Sequence, residues 1–485
     1  MKINNNNIAI VSNSQNYTYQ ELQKASDEIA FQLLENTTDL SETRVAFMIE
    51  PSFEYVAAQW GVWKAGGVAV PLCISYPLDS LAYVLEDTQT EIIMVSPVFE
   101  EVLKNYASEK NIRLMVLGEG KSLIEKALPI IEPNRRAMIL YTSGTTNLPK
   151  GVVTTHANLE AQIMTLIHAW HYSKNDHTLC ILPLHHVHGI INVISCTLWA
   201  GGTVEFLPNF SAEGVFEAFE RGQLNVFMAV PTIYFKLITY LEAVSSEKQQ
   251  VLFNLMKKFR LMVSGSAALP VSVMEKWEKL SGHRLLERYG MTELGMAISN
   301  PYQGERLAGH IGKPLPGVSV RLVDEENKEI EIGEAGEIQV KGANVFKEYW
   351  RKETATIDTF TKDGWFKTGD VAVVEDGYYR ILGRSSIDII KSGGYKISAL
   401  EIEEVLRTYP NIKDCSVVGI DNEEWGELVS AALIIEAKNL NTNELNDWIR
   451  QKMPAYKVPR KYIFVEDFPR NAMGKVVKNE LKKLF

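Results

Sequence analysis

From Ile8 onward, short apolar runs alternate with longer amphipathic stretches. Residues 8–12, 44–49 and 91–96 read as strands, and residues 19–34 and 53–65 read as helices closed by turn residues. A chain that keeps switching between a period of 2 and a period of 3.6 must bury two kinds of apolar face. It does so by layering helices against a mostly parallel sheet. The expected fold class is therefore α/β.

Further on the texture changes. Residues 312–349 hold short strands with turns at Pro314, Gly317, Gly333 and Gly336, which predicts a small, strongly curved β-subdomain. A Gly-rich, charged stretch at 383–398 then separates a final unit. That unit reads as helix 400–408, strand 414–419 and strand 429–436, and then ends in helices. At 485 residues the chain is too long for one core. We set a large N-terminal domain of layered subdomains at 1–387 and a small α+β C-terminal domain at 388–485.

Composition excludes several functions. A net charge of −10 offers no broad basic field for nucleic acid. No run approaches the ~18 apolar residues of a membrane span. The N-terminus lacks a basic stretch followed by an apolar core, so no signal peptide is expected and the expected location is cytoplasmic. Cys73, Cys180, Cys196 and Cys415 form no Cys-x-x-Cys pair, which suits a reducing compartment and argues against a structural zinc site. The expected partners are small molecules, with the chain a monomer or small homo-oligomer.

Five stretches carry chemistry. The first follows the apolar segment 137–140 and includes Thr142, Ser143, Gly144, Thr145, Thr146, Asn147 and Lys150. Backbone N–H groups, hydroxyls and one cation on a loop leaving a strand suit a polyphosphate. It is not the common triphosphatase loop, since no Gly-Lys-Ser/Thr occurs. The second is Glu287-Arg288-Tyr289-Gly290-Met291-Thr292-Glu293. Here Tyr289 can stack on a purine, Thr292 can donate to a phosphate oxygen, and Glu293 can hold Mg²⁺ beside substrate phosphates. The third is Thr368-Gly369-Asp370, with Gly383-Arg384 downstream. The fourth, Gly474-Lys475, suggests a tight turn presenting one lysine, while Lys478, Lys482 and Lys483 fit a solvated basic helix face. The fifth, His185-His186-Val187-His188, would face two rings the same way on a strand, a zinc-like spacing without a third ligand nearby.

Together these motifs resemble the acyl-adenylate-forming (ANL) superfamily, which includes acyl-CoA synthetases, adenylation domains and luciferases. The family usually has Gly where this chain has Asn147, a residue that tolerates positive φ. The resemblance implies ATP and CoA as co-substrates and Mg²⁺ as cofactor. It implies that Asp370 and Arg384 meet the ribose, that Lys475 meets the reacting carboxylate and α-phosphate, and that His186 lines the acyl pocket. It also implies a mobile C-terminal domain turning about Asp388, with Gly393 and Gly394 facing the pantetheine tunnel.

Within that superfamily the chain looks most like the malonyl-CoA synthetase group. The stretches behind this are 225–235, 263–270, 286–293 and 388–400. In that group an Arg and a Ser meet the distal carboxylate, which implies Arg288 and Ser266 here. A substrate carboxylate is a natural counter-ion for a buried guanidinium. The competing partners are the chain's own Glu287 and Glu293. The alternative functions are a synthetase for another short or medium acid, methylmalonate included, or a carrier-protein-loading adenylation domain. Adenylation domains selecting α-amino acids usually place an Asp soon after the His segment, and residues 189–196 contain none. A non-catalytic nucleotide sensor is disfavoured by Lys475 and Glu293 occurring together.

Overall fold

The computed structural model describes residues 5–118, 126–142, 149–207, 209–436, 440–470 and 476–485. Helices pack between and around two large sheets. The seven-stranded sheet runs in the order Glu348–Tyr349, Lys150–Thr155, Arg136–Thr142, Val68–Pro71, Arg44–Met48, Ile92–Val95, Arg113–Val116. Its central strands Val68–Pro71 and Ile92–Val95 are buried at every position, as strands covered on both faces must be. The nine-stranded sheet runs Lys313–Pro314, Gly295–Ser299, Leu286–Met291, Leu261–Ser264, Val226–Ala229, His177–Cys180, Thr203–Phe206, Ile8–Ser12, Gln15–Thr18. Its interior pairs are parallel and its two edges antiparallel.

Local sequence sets the helix starts. Thr18 and Glu21 form a reciprocal capping box at the head of Tyr19–Leu34, and Ser52 caps Phe53–Lys64. The expected strands and helices in this region lie within a residue or so of those observed.

The small β-layer differs from expectation. A four-stranded antiparallel sheet is built from Val318–Val323, Gly336–Gly342, Phe366–Glu375 and Tyr378–Arg384, so it reaches well past residue 349. Lys313–Pro314 and Glu348–Tyr349 leave it and pair with the edges of the two large sheets. Turn residues marked the corners correctly but did not say which sheet each short strand would join.

The C-terminal sheet orders Tyr395–Ser398, Ile389–Ser392, Gly426–Ile435 and Ile412–Asn422, and Lys461–Phe464 pairs parallel to Gly426–Ile435. That last strand replaces part of the expected helical ending. It is half exposed and opens on a lysine, so its apolar pattern is weak. The helices Ala399–Arg407 and Thr442–Arg450 bury Ile402, Leu406, Leu445 and Ile449 against Val417, Ala431 and Leu433. Among the described residues no helix is long and apolar enough to cross a membrane. All four cysteines are buried and unpaired.

Candidate active site

Cross-strand register places Asp370 directly opposite Arg384. Arg384 Nε donates to Asp370 Oδ1 at 3.0 Å, and the Tyr289 hydroxyl donates to Oδ2 at 2.6 Å. Tyr289 belongs to the nine-stranded sheet, so one carboxylate ties two sheets together. Behind it the Asp370 N–H donates to Thr368 Oγ1 at 3.1 Å, and Thr368 donates to the Ile338 carbonyl at 2.7 Å. Burial works against the Arg384 charge, yet Asp370 outweighs it and holds the pKa above the ordinary value. Each Asp370 oxygen keeps a second lone pair, which is what a vicinal diol requires. Tyr289 itself is 7% exposed.

Gly290 lies within Leu286–Met291, and Thr292 and Glu293 follow where that strand turns into Gly295–Ser299. Glu293 Oε1 accepts from the Tyr349 hydroxyl at 2.9 Å, and its carbonyl accepts from the Phe346 N–H at 2.7 Å. Burial raises the Glu293 pKa. A divalent cation would reverse that by restoring the charged form, so this buried carboxylate fits Mg²⁺ held by one protein ligand plus phosphates. Lys150 Nζ lies 5.0 Å from the Tyr349 ring centre. Thr142 and Lys150 face each other as the two feet of a strand pair. Ser143, Gly144, Thr145 and Thr146 lie outside the described residues.

Arg288 is 3% exposed and follows Glu287 on the same strand. Side chains alternate along a strand, so the two point apart. Glu287 Oε1 accepts from the Leu269 N–H at 2.9 Å, while Arg288 turns toward Gly265 and Ser266. A Cβ at position 265 would sit 2.4 Å from Arg288 Cζ, so only glycine leaves room for the guanidinium. Arg288 Nη2 reaches Ser266 Oγ at 3.4 Å, and His188 Nδ1 lies 3.1 Å from the same oxygen. Among the described residues Arg288 Nε, His188 Nε2 and Glu287 Oε2 are buried without a hydrogen-bond partner.

The charges follow from burial. Desolvation pushes the Glu287 pKa up to about 8, so this carboxyl is mostly protonated at neutral pH. Desolvation pulls Arg288 down to about 9, so the guanidinium is still charged there. Neither competing partner takes it up: Glu287 turns away and Glu293 is bound to Tyr349. Among the described residues the Arg288 cation has no ion pair.

The histidine segment departs from expectation. Residues 184–186 form a turn, not a strand, and His188–Ser195 continues as a π-helix whose wide pitch is marked by the Cys196 N–H bonding to the Ile191 carbonyl. The His185 and His186 rings lie 4.0 Å apart, and only His188 reaches Ser266. Burial lowers the pKa of His185 to about 4 and takes that of His188 well below its ordinary value, so both are neutral.

Asp388, just before the strand Ile389–Ser392, accepts from the Arg384 N–H at 3.0 Å. Gly393 and Gly394 form the tip of the hairpin between Ile389–Ser392 and Tyr395–Ser398, both with positive φ as a two-residue hairpin turn requires. A Cβ on Gly393 would meet the Trp425 ring of the same unit, whereas one on Gly394 would meet nothing within 4 Å. Lys475 lies outside the described residues. Lys478 corrects the reading of a solvated basic face: its side chain is 9% exposed and meets two carboxylates, whereas that of Lys483 is 68% exposed.

The AMP-binding enzyme family model matches residues 2–350, and the model of the AMP-binding enzyme C-terminal domain matches residues 401–475. The chain belongs to the AMP-binding enzyme family. Within the family it is 43% identical to the mitochondrial malonate–CoA ligase ACSF3 of Bos taurus, over 98% of this chain and 87% of that protein. It also resembles the ATP-bound crystal structure of MatB from Rhodopseudomonas palustris, with a TM-score of 0.89 and 33% identity over 99% of this chain and 96% of that one. The apo crystal structure of the same protein gives a TM-score of 0.80 at the same identity and coverage.

Three residues that make these contacts lie outside the motif readings: His188, Tyr349 and Lys478. His188 stands in the sequence reading only as part of a zinc-like spacing, Tyr349 only as the end of a β-subdomain, and Lys478 as part of a solvated face. The signal for His188 was its place two residues after His186. Tyr349 and Lys478 gave no local signal, because their partners Glu293 and Asp388 are distant in sequence.

Proposed function

We propose that this chain is an ATP-dependent malonate–CoA ligase, which forms malonyl-CoA through an acyl-adenylate and releases AMP and pyrophosphate. One observation carries the choice of acid: the Arg288 cation is buried, unpaired by any carboxylate among the described residues, and flanked by Ser266 and His188. A distal carboxylate completes such a site, whereas a fatty acid would leave the charge buried and unpaired. The substrate named for the bovine relative supports the same acid.

In the first step a malonate oxygen attacks the α-phosphorus of ATP and pyrophosphate leaves. Asp370 and Arg384 orient the ribose, and Lys150 with Thr142, Ser143, Gly144, Thr145 and Thr146 cradles the phosphates. Lys475 meets the charge that develops on the transferring group, and Thr292 donates to a phosphate oxygen. Glu293 would hold Mg²⁺, which neutralises phosphate charge when bound. His186 walls the acyl channel. In the second step the CoA thiolate attacks the adenylate carbonyl and AMP leaves, after the C-terminal unit has turned about Asp388 and carried Gly393 and Gly394 to the pantetheine path. Four buried thiols suit a reducing compartment, and cell fractionation decides between cytoplasm and mitochondrial matrix.

Pyrophosphate release and CoA-thioester formation across a panel of acids test the assignment. Malonate should lead, with methylmalonate the nearest rival and propionate poor. Equal use of propionate or of a long-chain acid would leave the ligase chemistry standing and remove the diacid.

A further inference from the structure

Asn192 lies in the middle of the π-helix His188–Ser195 and is 0% exposed. Among the described residues neither its Oδ1 nor its Nδ2 has a hydrogen-bond partner. The polar groups around it are engaged. Its own carbonyl accepts from the Tyr172 hydroxyl at 2.7 Å, and Ser195 on the same helix donates to the Ile190 carbonyl at 2.7 Å. Other buried amides are engaged too: Asn300 Nδ2 donates to the Glu287 and His310 carbonyls, and Asn344 Nδ2 to the Leu294 carbonyl. Ile190, Ile191, Val193 and Ile194 are all buried in the apolar core. A leucine at 192 would fill the same space without burying an amide. Desolvating both polar atoms with nothing in return costs stability, so the residue calls for a reason beyond packing.

Two observations place Asn192 beside the Arg288 site. The Tyr172 hydroxyl that holds its carbonyl also lies 3.8 Å from Met228 Sδ, so the wide helix covers the sheet face that carries Met228. Met228 pairs with Val263, and Val263 with Leu286. Paired residues share a face and side chains alternate along a strand. Arg288, two residues after Leu286, is therefore on the covered face, and Glu287 is on the other. The second observation is helical. Asn192 stands four residues after His188, and residues four apart share a helix face with their Cβ atoms about 5–6 Å apart. His188 Nδ1 lies 3.1 Å from Ser266 Oγ, the atom that Arg288 Nη2 reaches at 3.4 Å.

We infer that Asn192 is a specificity-determining residue of the acid site, with its Nδ2 donating to the distal carboxylate that Arg288 binds. The inference rests on the diacid reading proposed above and deepens it. A carboxylate accepts up to about four hydrogen bonds, so it can take the amide besides the guanidinium and the Ser266 hydroxyl. A monoacid of the same length leaves two buried groups without partners, Asn192 as well as Arg288. Rejection of propionate is then shared between a charge and a neutral amide.

The test uses the full chain with Asn192→Leu and Asn192→Asp. The leucine keeps the shape and removes both polar atoms. Without ligand, Asn192→Leu should melt at or above the parent temperature, because nothing inside the fold loses a partner. Its kcat/KM for malonate should fall about tenfold to a hundredfold, as for a lost hydrogen bond to a charged group, with KM for ATP unchanged. Propionate use should hold, so the malonate-to-propionate ratio falls by the same factor. Malonate should raise the melting temperature of the parent more than that of the variant. Asn192→Asp sets a second carboxylate beside the incoming one and should cost malonate more than the leucine does. An unchanged malonate-to-propionate ratio in Asn192→Leu overturns the inference. So does melting below the parent, which would show the amide satisfied within the fold, and so does an aspartate milder than the leucine. If the parent itself uses propionate as readily as malonate, the diacid reading falls and this inference with it. A malonate-selective parent with an unchanged ratio in the leucine variant removes Asn192 alone.

Discussion

The Asp370 carboxylate meets Arg384 and Tyr289 inside the protein, whereas the Arg288 guanidinium meets only the Ser266 hydroxyl among the described residues. The two groups are linked through neighbouring residues, since Tyr289 next to Arg288 bonds to Asp370, yet one is counterbalanced and the other is not. The Asp370 side is pre-organised for a ligand that adds neutral hydroxyls. The Arg288 side is pre-organised for a ligand that brings a charge. Paired groups hold geometry in the empty enzyme, and unpaired groups store preference for what will arrive.

The sharpest way to break this contrast is Arg288→Ala. Losing one partner of a desolvated Arg–carboxylate pair costs roughly 3–5 kcal/mol, so kcat/KM for malonate should fall about a hundredfold to several thousandfold. KM for ATP should move little, and the gap between malonate and propionate should narrow. Steady-state kinetics with both acids reads all three. A fall in ATP affinity as large as that in malonate use would show that the two sides are one site.

Glu287 sharpens the comparison through pH. Its folded pKa is pushed up to about 8 from 4.5, chiefly by burial. Between those values the unfolded chain has released a proton that the folded chain still holds. Stability should therefore fall as pH rises through this window and level off above it. Glu287→Gln keeps the acceptor for Leu269 and should abolish the fall, a difference of a few kcal/mol, order of magnitude, at pH 8. Denaturant unfolding at pH 5, 6.5 and 8 measures it. Parallel slopes for parent and variant would mean that Glu287 is already ionised.

On the paired side, Asp370→Asn removes a charge-assisted acceptor worth about 1.5–3 kcal/mol. KM for ATP should rise about tenfold to a hundredfold, and malonate selectivity should stay unchanged. The smallest effect is expected of Ser266→Ala. It removes one hydroxyl whose bond to Arg288 is long, at 3.4 Å, so malonate kcat/KM should drop only about two- to tenfold. A drop as deep as that of Arg288→Ala would make the hydroxyl the main recognition group.

Much of this was legible in the sequence because it is local. The helix Tyr19–Leu34 follows from its period and from the Thr18–Glu21 box. Asp370 and Arg384 stood out in motifs, and strand pairing then set them face to face. The rest depends on distance. The strand of Tyr349 joins a sheet edge nearly two hundred residues upstream, at Val152 and Val153, and no local pattern records that. The histidines were read on a strand because two rings at i and i+2 suggest one, whereas a turn and a π-helix carry them. Lys478 looked like a surface lysine because its neighbours Lys482 and Lys483 are exposed or half-exposed.

The wide helix His188–Ser195 has one more consequence. Such a turn differs from an α-helix by a single inserted residue. It is therefore a site where the length of the gene, rather than the identity of a residue, tunes the enzyme. Deleting one codon between Gly189 and Ile194 would let the segment relax to regular pitch. Everything on one side of the deletion would rotate by about 100° against the other. His188 would swing off Ser266 without any change in either residue, so relatives differing in length here should differ in acid preference even where their pocket residues agree.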